Sequence, residues 1–505
     1  MIVLVHDFYK VTKIEGVTES QSSILTQEQS IAKTLYLLAS YYPAEIIVWC
    51  NELAYSKLNR AFIKVAFPHN RYMYSYNPIG NFFPDIIGYA EESPFININK
   101  KVCYPTWQMS SRVGAIKSSA ILLTSKTHWE TSDSFDFILN SIAKLYQPLG
   151  LFCYSEPQLI TDTEIQTKYP TATSKELFSF VAQHYKWVWK HFLLLCCLIF
   201  EKRIPFLSWL LSLFQSTLKL HKHELVFENQ SKTIDWELET MDVIIPTIGR
   251  KKYLYDVLKD LRAQTNLPKN VIIIEQNSDL ESKSELDYLT TEKWPFHIKH
   301  VFTHQTGACQ ARNKALDLLE SKWCFFNDDD NRFDENLIKD ALQFMTNFNL
   351  NVFSTNYLLK DECQLYNSIS QTTIFGSGNS FIKSEITKAV TFELKLEFGY
   401  GEDTEYGLKL RNNGFDIIYN PNLKIIHLKA PMGGFRTKFT HPWNNESIQP
   451  KPSPTIMYVL QKYSTDKQLL GYKMRLFLKT NKYQFWKLQV FQKQWKKSEY
   501  WSDKL

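Results

Sequence analysis

A strand, helix, strand order that begins at Asp242 limits what this chain of 505 residues can fold into. An apolar run at 242–247 is followed by a helical pattern at 253–264 and by a second apolar run at 271–275. This order predicts two parallel, neighbouring strands joined by a right-handed crossover. Apolar runs at 300–302 and 323–326 extend the predicted sheet. Sheets of this kind bind ligands beyond the carboxyl ends of their strands.

Three consecutive carboxylates, Asp328, Asp329 and Asp330, follow the apolar run 323–326. At the tip of a buried strand they would present hard oxygen ligands, which suit Mg²⁺ or Mn²⁺. An ion held there can bind a diphosphate. Acidic triplets also occur as solvated turns, so the motif depends on its context for a functional interpretation.

Two more signals lie further along the chain. Gly401 precedes Glu402 and Asp403, and His427 closes the apolar run 423–426. A carboxylate can serve as a general base, and a neutral imidazole beside carboxylates suits Mn²⁺. Glu402 and Asp403 also fit the amino-terminal cap of a helix, and the two roles are compatible. A single histidine after a strand is often structural.

The motifs between Asp242 and Arg436, taken in chain order, resemble those of the inverting glycosyltransferases of family 2. These enzymes have a GT-A fold and use nucleotide-diphosphate sugars. The resemblance covers less than half of the chain. The matching residues are Pro246, Thr247 and Arg250; Glu275, Gln276 and Asn277; Gly307, Arg312 and Asn313; and Asp328, Asp329 and Asp330.

The resemblance implies a donor site with a bound Mn²⁺ or Mg²⁺. Asp330 would be the direct metal ligand, His427 would complete the metal shell, and Asp328 or Asp329 would contact the ribose or a metal-bound water. Glu275 stands where the family usually has aspartate. This departure leaves the nucleotide open, with a uridine nucleotide as the first expectation.

The segment at Gly401 is similar to the glycine-glutamate-aspartate segment of chondroitin-polymerase-like and galactosyltransferase-like enzymes. By this resemblance, Asp403 deprotonates the acceptor hydroxyl and Glu402 holds the acceptor. The glycine-containing segments add Gly378 and Asn379 as substrate contacts, and Arg436 as a charge near the diphosphate.

Four regions are predicted along the chain. The two large ones, at 1–165 and 239–445, are predicted to have an α/β fold. The four regions are an N-terminal α/β domain at 1–165, a helical apolar connector at 166–238, a GT-A-type transferase domain at 239–445 and a basic amphipathic tail at 446–505. The first domain has no D-x-D motif or paired acids. As a diverged second transferase unit it would serve acceptor binding or scaffolding.

Two segments are candidates for peripheral membrane contact. The apolar segment 184–220 is divided by three charges and a proline, and neither half reaches the roughly 20 residues of a spanning helix. It fits a helical hairpin between domains or a shallow interfacial insertion. Residues 461–505 carry eleven Lys and Arg against three Asp and Glu. This tail fits either an anionic lipid surface or a packed helix with solvated lysines. No recognition motif suggests nucleic acid as a partner.

The cellular compartment is predicted from the N-terminus and the cysteines. The short apolar run at the N-terminus is interrupted by His6 and Asp7, and it does not have the pattern of a signal peptide. Eight cysteines without C-x-x-C spacing predict reduced thiols. We therefore expect a cytoplasmic protein, at the inner face of the cell membrane if the two segments bind lipid.

The predicted function is metal-dependent, inverting transfer of a sugar to a glycan or lipid-linked acceptor in cell-surface polysaccharide synthesis. Two other classes remain open. A nucleotidyltransferase uses a similar sheet and metal, although the glycine- and lysine-rich phosphate loop is missing after the first strand. A non-catalytic glycan-binding or assembly protein is the other alternative, and the intact set of acids opposes it.

Overall fold

A computed structural model of the chain describes residues 1–19, 22, 25–26, 30–163, 169–218, 225, 232–431, 439–482 and 484–505. The chain divides into two compact units. The first unit consists of residues 1–229 and 463–483, and the second of residues 230–462 and 484–505. The basic C-terminal region is therefore shared between the two units.

The first unit contains a mixed sheet, which has seven strands in the part of the chain described. The strands are β1 (Ile2–His6), β2 (Val11–Glu15), β3 (Ile46–Asn51), β4 (Tyr72–Tyr76), β5 (Tyr104–Pro105), β6 (Val113–Lys117) and β7 (Phe152–Ser155). Their order across the sheet is β2-β1-β3-β6-β4-β7-β5. The apolar side chains of β1, β3 and β6 are buried, which builds the core of this unit around the sheet.

Helices cover this sheet and extend the unit. They are α1 (Ile31–Tyr41), α2 (Glu52–Tyr55), α3 (Arg60–Val65), α4 (Ser118–Leu123), α5 (Lys126–Trp129), α6 (Phe135–Tyr146), α7 (Ser174–His184), α8 (Val188–Phe200) and α9 (Phe206–Ser212). In the region predicted as a connector, α8 and α9 form a hairpin: the Lys190 ammonium donates to the Ser212 carbonyl at 3.2 Å.

The second unit contains the sheet expected from the sequence. Its strands are β8 (Met241–Ile248), β9 (Asn270–Gln276), β10 (His297–Thr303), β11 (Trp323–Asn327), β12 (Asn331–Arg332), β13 (Val352–Leu359), β14 (Ser370–Gln371), β15 (Asn379–Lys383) and β16 (Ile418–His427). The order is β10-β9-β8-β11-β15-β13-β16-β12, and β14 pairs with β16. Strands β8, β9, β10 and β11 are parallel, as predicted.

The helices of this unit are α10 (Lys251–Arg262), α11 (Tyr288–Thr291), α12 (Ala308–Leu316), α13 (Leu337–Phe348), α14 (Ser384–Thr387), α15 (Glu402–Asn412), α16 (Pro454–Tyr463) and α18 (Leu488–Ser502). The intervening helix α17 (Asp466–Asn481) belongs to the first unit. The α/β fold class predicted for both large regions is confirmed.

Within the first unit, α17 is a packed helix. Phe477 is buried, and the Gln468 side chain donates to the carbonyls of Glu91 and Ser93 at 3.0 and 2.9 Å. A Cβ on Gly471 would lie 3.1 Å from the Tyr89 backbone, so the helix approaches closely there. Across the described ranges, none of the helices is both long and apolar enough to cross a membrane.

Candidate functional site

The carboxyl ends of β8, β9 and β11 bring most of the predicted residues to one edge of the second sheet. A small cleft at this edge is lined by predicted residues from two strands and by the loops that follow them. These residues are Thr247, Arg250, Glu275, Gln276 and Asn277. Parallel strands end at the same edge, and for this reason segments distant in sequence converge there.

Asp329 is the buried centre of this edge. Its two carboxylate oxygens accept from the Thr247 hydroxyl and from the Arg250 guanidinium, both at 2.6 Å. Burial raises the pKa of Asp329 to about 6, although Arg250 and Thr247 act in the opposite direction. The middle acid of the triplet is therefore committed to partners within the protein, and it fixes the end of β8 against the end of β11.

Asp328 is more exposed than Asp329: 26% of its side chain is accessible, against 3% for Asp329. Its carboxylate accepts from the Arg312 guanidinium at 3.3 Å and from the Tyr357 hydroxyl at 3.1 Å. A Cβ on Gly378 would lie only 2.2 Å from Asp328 Oδ2. Glycine is thus the residue that leaves room for this carboxylate.

Asp330 faces His427 across two paired strands. Asn331 of β12 lies opposite His427 of β16, and the His427 Nε2 atom is 3.4 Å from Asp330 Oδ1. The Ala430 amide donates to Oδ2 at 2.8 Å. Burial would raise the pKa of Asp330, but His427, this amide and the Arg250 charge together hold it below its usual value.

These side chains fit a divalent cation in their chemistry. Asp330 Oδ1 is buried, and no hydrogen bond to it is found within the described ranges. In the same ranges, no three His, Cys, Asp or Glu side chains form a ready metal cluster. Mg²⁺-type sites in sugar- and phosphate-transfer proteins often use only one or two carboxylates and take their other ligands from phosphates and water. Asp330 with His427, supplemented by Asp328, suits that pattern.

Glu402 and Asp403 begin α15, directly after Gly401, whose φ of 107° favours glycine. Burial raises the pKa of Glu402 to about 7, and the adjacent Asp403 charge adds to this shift. Burial also raises the pKa of Asp403, while Arg312 and hydrogen bonds from Ser377 oppose it. Asp403 Oδ1 has no hydrogen-bond partner in the part of the chain that the structure covers.

Helix α16 holds the segment before α15 in place. The Tyr400 amide donates to the Thr455 hydroxyl at 3.1 Å. Below it, the Lys462 ammonium donates at 3.0 Å to the fully buried Glu405. Helix α16 therefore contacts the chain on both sides of Glu402 and Asp403.

Several predicted residues have mainly internal contacts. The Glu275 carboxylate is paired with His300 Nε2 at 2.9 Å, and Gln276 Oε1 accepts from the Gly307 amide at 2.5 Å. The Asn313 side chain donates one hydrogen bond to the Phe392 carbonyl and accepts another from the Phe392 amide.

The remaining predicted residues occupy the ends of the same elements. Asn379 donates to the Thr355 carbonyl at 2.8 Å and begins β15. Pro246 lies near the end of β8, and the Asn277 amide donates to Thr303 at 3.0 Å. Arg436 lies outside the residues that the structure describes.

Four contributors were not identified from the sequence. Glu397 accepts from the amides of Cys309 and Gln310 at 3.1 and 2.8 Å, which caps the start of α12. Tyr357 stacks on His427 with ring centroids 4.9 Å apart. Ser377 and Lys462 position the acids of α15. Glu397 lies four residues before Gly401 and so adjoins that motif, and Ser377 lies directly before Gly378 in the predicted substrate segment. Tyr357 and Lys462 have no local signal.

Comparison with known proteins supports the family assignment of this unit. Residues 242–397 match the family model described as glycosyl transferase family 2. A search of curated proteins found no match. Among solved structures, TarS 1–349 from S. aureus in complex with UDP-GlcNAc is 16% identical, with 51% of this chain and 79% of that chain covered and a TM-score of 0.37.

Two other solved structures show similar values. For S. aureus TarS, the identity is 16%, the coverage is 50% of this chain and 54% of that chain, and the TM-score is 0.36. The mannosyltransferase PcManGT from Pyrobaculum calidifontis, in complex with GDP-Man and Mn²⁺, is 15% identical over 38% of this chain and 58% of that chain, with a TM-score of 0.31. The match of residues 242–397, which lie in the second unit, to glycosyl transferase family 2 confirms the family resemblance found in the sequence.

Proposed function

We propose that the second unit transfers a sugar from a nucleotide-diphosphate sugar to a glycan or lipid-linked acceptor, with inversion at the anomeric carbon. A UDP-linked donor is the first candidate, and synthesis of a cell-surface polysaccharide is the proposed setting. Asp403 would be the general base and the acids after β11 would serve the donor side.

One observation supports this proposal most directly. The buried Arg312 guanidinium contacts Asp328 at 3.3 Å, and the charge of Asp403 acts on the same guanidinium. The donor-side and acceptor-side carboxylates are thus neighbours of one fixed cation. Arg312 Nε and Asp403 Oδ1 both lack hydrogen-bond partners within the described ranges, so each has capacity for a substrate group.

The donor would enter through the cleft at the ends of β8 and β9. Glu275 and Gln276 offer acceptors near the base and ribose, while Arg250 and Arg312 contribute positive charge for the phosphates. Asp330 and His427, with Asp328, would hold Mn²⁺ or Mg²⁺. This cation would supply stabilisation of the negative charge on the leaving diphosphate.

The transfer step needs one base on the face opposite the leaving group. The acceptor hydroxyl gives its proton to Asp403 as its oxygen forms a bond to the anomeric carbon, and the bond from that carbon to the diphosphate oxygen breaks. Glu402 would hold the acceptor. Ser377 and Arg312 keep Asp403 oriented and favour its charged form.

A donor panel tests the function. With Mn²⁺ or Mg²⁺ present, we expect the unaltered protein to release nucleotide diphosphate from at least one nucleotide sugar. Asp403→Asn should lower the acceptor-dependent rate by about 10²- to 10⁴-fold, since it removes the general base. It should leave nucleotide-diphosphate binding intact.

The control is Asp317→Asn, which changes an exposed carboxylate between α12 and the amino end of β11, at the opposite end of that strand from the acid triplet. It should behave as the unaltered protein. Background turnover with every donor, together with no diphosphate binding, would contradict the transferase assignment.

The pH dependence tests the paired acids. Because burial raises the pKa values of Glu402 and Asp403, the transfer rate should fall with decreasing pH earlier than it would with an ordinary carboxylate as base. Protonation removes the base, so activity is retained on the alkaline side of this acid limb. Glu402→Gln removes a neighbouring negative charge and should move the acid limb to lower pH.

Glu385→Gln serves as the comparison, because it changes an exposed glutamate outside the site. Its profile should match that of the unaltered protein. If the acid limb of the pH profile is unchanged in Glu402→Gln, the two carboxyls are not coupled.

We also propose that the first unit contacts the cytoplasmic face of a membrane through the hairpin of α8 and α9. Phe206 and Leu207 are 55% and 67% exposed, and Phe214 is 83% exposed. The exposed Lys202 and Arg203 lie in the turn between the helices. Apolar side chains beside basic ones fit a bilayer interface with anionic lipid. In the tail, exposed Phe485, Trp486 and Val490 belong to the second unit and are a separate candidate contact, whereas α17 is packed on the first unit.

Vesicle flotation measures this contact. Vesicles of phosphatidylcholine with phosphatidylglycerol should carry the unaltered protein upward, and a double variant, Phe206→Ser with Leu207→Ser, should lose most of this recovery. The matched control is Leu365→Ser with Tyr366→Ser, which are 80% and 71% exposed in the second unit. Equal recovery of the hairpin variant and the unaltered protein would remove the membrane role of the hairpin.

A further inference from the structure

The sheets of the two units share six strands with the same chain order and the same directions. In the first sheet, β1 is parallel to β3, β3 and β4 are both antiparallel to β6, β4 is parallel to β7, and β5 is antiparallel to β7. In the second sheet, the same relations hold for β8, β11, β13, β14, β15 and β16. Such agreement in both order and direction indicates one fold used twice.

The strand registers agree residue by residue. Lys117 lies opposite Ile46, and Lys383 lies opposite Trp323. The serine that follows each lysine donates its amide to the residue before the facing strand. Both of these bonds, from Ser118 to the Glu45 carbonyl and from Ser384 to the Lys322 carbonyl, are 2.9 Å long. The sequence Ile-Lys-Ser and a short helix occur at both places.

The last strand is entered in the same way in both units. Gly150 and Gly414 have φ values of 106° and 86° before β7 and β16. After them, the Leu151 amide donates to Tyr146 at 3.1 Å and the Phe415 amide donates to Leu410 at 3.0 Å.

The segments at 155–159 and 419–423 also correspond. Each has proline at its third position and leucine at its fifth. In each, the amide of the fourth residue donates to the side chain of the second. The Gln158 amide donates to Glu156 at 2.9 Å, and the Asn422 amide donates to Asn420 at 3.0 Å.

Among the described residues of the first unit, the donor half of the site has no counterpart. Where β9 and β10 extend the second sheet beyond β8, the edge beside β1 is taken by the antiparallel β2. By the shared register, Asn51 stands at the position of Asp328 and Leu53 at that of Asp330. Strand β7 ends at Ser155, whereas β16 continues to His427.

The acceptor-side aspartate is retained. Asp136 is the second residue of α6, as Asp403 is the second residue of α15. Ser111 precedes β6 by the same two positions that separate Ser377 from β15, and its amide and hydroxyl donate to Asp136 at 2.8 and 2.7 Å. Ser377 makes the corresponding bonds to Asp403.

In the first unit this aspartate is closed off by other side chains. The Tyr169 hydroxyl donates to Asp136. Arg112, which is fully buried, occupies the position of Gly378; its Nε donates to Asn77 at 3.1 Å, and its guanidinium lies 5.3 Å from the Tyr169 ring centroid. Protein groups thus bind this aspartate, whereas Asp403 Oδ1 in the second unit is buried and has no hydrogen-bond partner among the described residues.

We infer that the first unit is a degenerate second copy of the transferase fold that has lost its nucleotide and cation site, so that the chain has a single donor site. This inference rests on the function proposed for the second unit. Asp136 in this copy is a structural anchor for the 110–112 turn, and the unit serves as a non-catalytic partner of the active domain.

Calorimetric titration of the full chain with UDP and with GDP, each in the presence of Mn²⁺, tests this inference. We expect one equivalent of nucleotide to bind per chain and Asp330→Asn to abolish that binding. Asp136→Asn should keep the one equivalent and should keep the transfer rate within about twofold, in contrast to Asp403→Asn. Circular dichroism checks that each variant is folded.

Two equivalents per chain, or one equivalent that survives Asp330→Asn, would overturn the inference. So would loss of transfer in a folded Asp136→Asn variant. If neither nucleotide binds to the unaltered chain, the function proposed for the second unit fails instead, and the two failures are therefore distinguishable.

Discussion

The buried ion pair between Asp329 and Arg250 organises the candidate site. With the bond from Thr247, it joins the end of β8 to the end of β11 and takes the middle acid of the triplet out of solvent. Removing one partner of such a pair leaves an uncompensated buried charge and costs roughly 3–5 kcal/mol. While Asp329 is fixed inward, Asp328 contacts Arg312 and Tyr357, and Asp330 faces His427.

The acids on α15 depend on a second set of constraints. Gly401 allows the sharp entry into the helix, Arg312 balances the charge of Asp403, and Lys462 neutralises the buried Glu405 one turn below. These contacts hold two carboxyls side by side in a poorly hydrated place, where their pKa values rise. A carboxyl with a raised pKa is a stronger base, which suits proton removal from a sugar hydroxyl.

The sequence predicted the parallel strands of the second unit because their apolar runs are long and end in polar residues. It also identified Asp328, Asp330, Asp403 and His427 as residues at strand or helix ends, although their roles remain proposals. It could not show that Asp329 turns inward, since that depends on Arg250 reaching it from another loop. Contacts of Tyr357 and Lys462 likewise arise from segments that are distant in the chain.

The second copy of the fold illustrates the same limit. Few residues are identical at corresponding positions of the two copies. The sequence pattern of β1 to β7 indicates only an α/β domain. Strand direction and register reveal the relation, because hydrogen-bond geometry persists where side chains have changed. The loss of β9, β10 and the donor acids explains why the first unit has no D-x-D motif of its own.

We propose that a single carboxylate base drives one displacement at the anomeric carbon. Proton NMR of the first product formed, before any mutarotation, measures this most directly through the anomeric coupling constant. The expected product has an anomeric configuration opposite to that of the donor sugar. Retention of the donor configuration would contradict this proposal, because retention requires a different displacement pathway from the one assigned to Asp403.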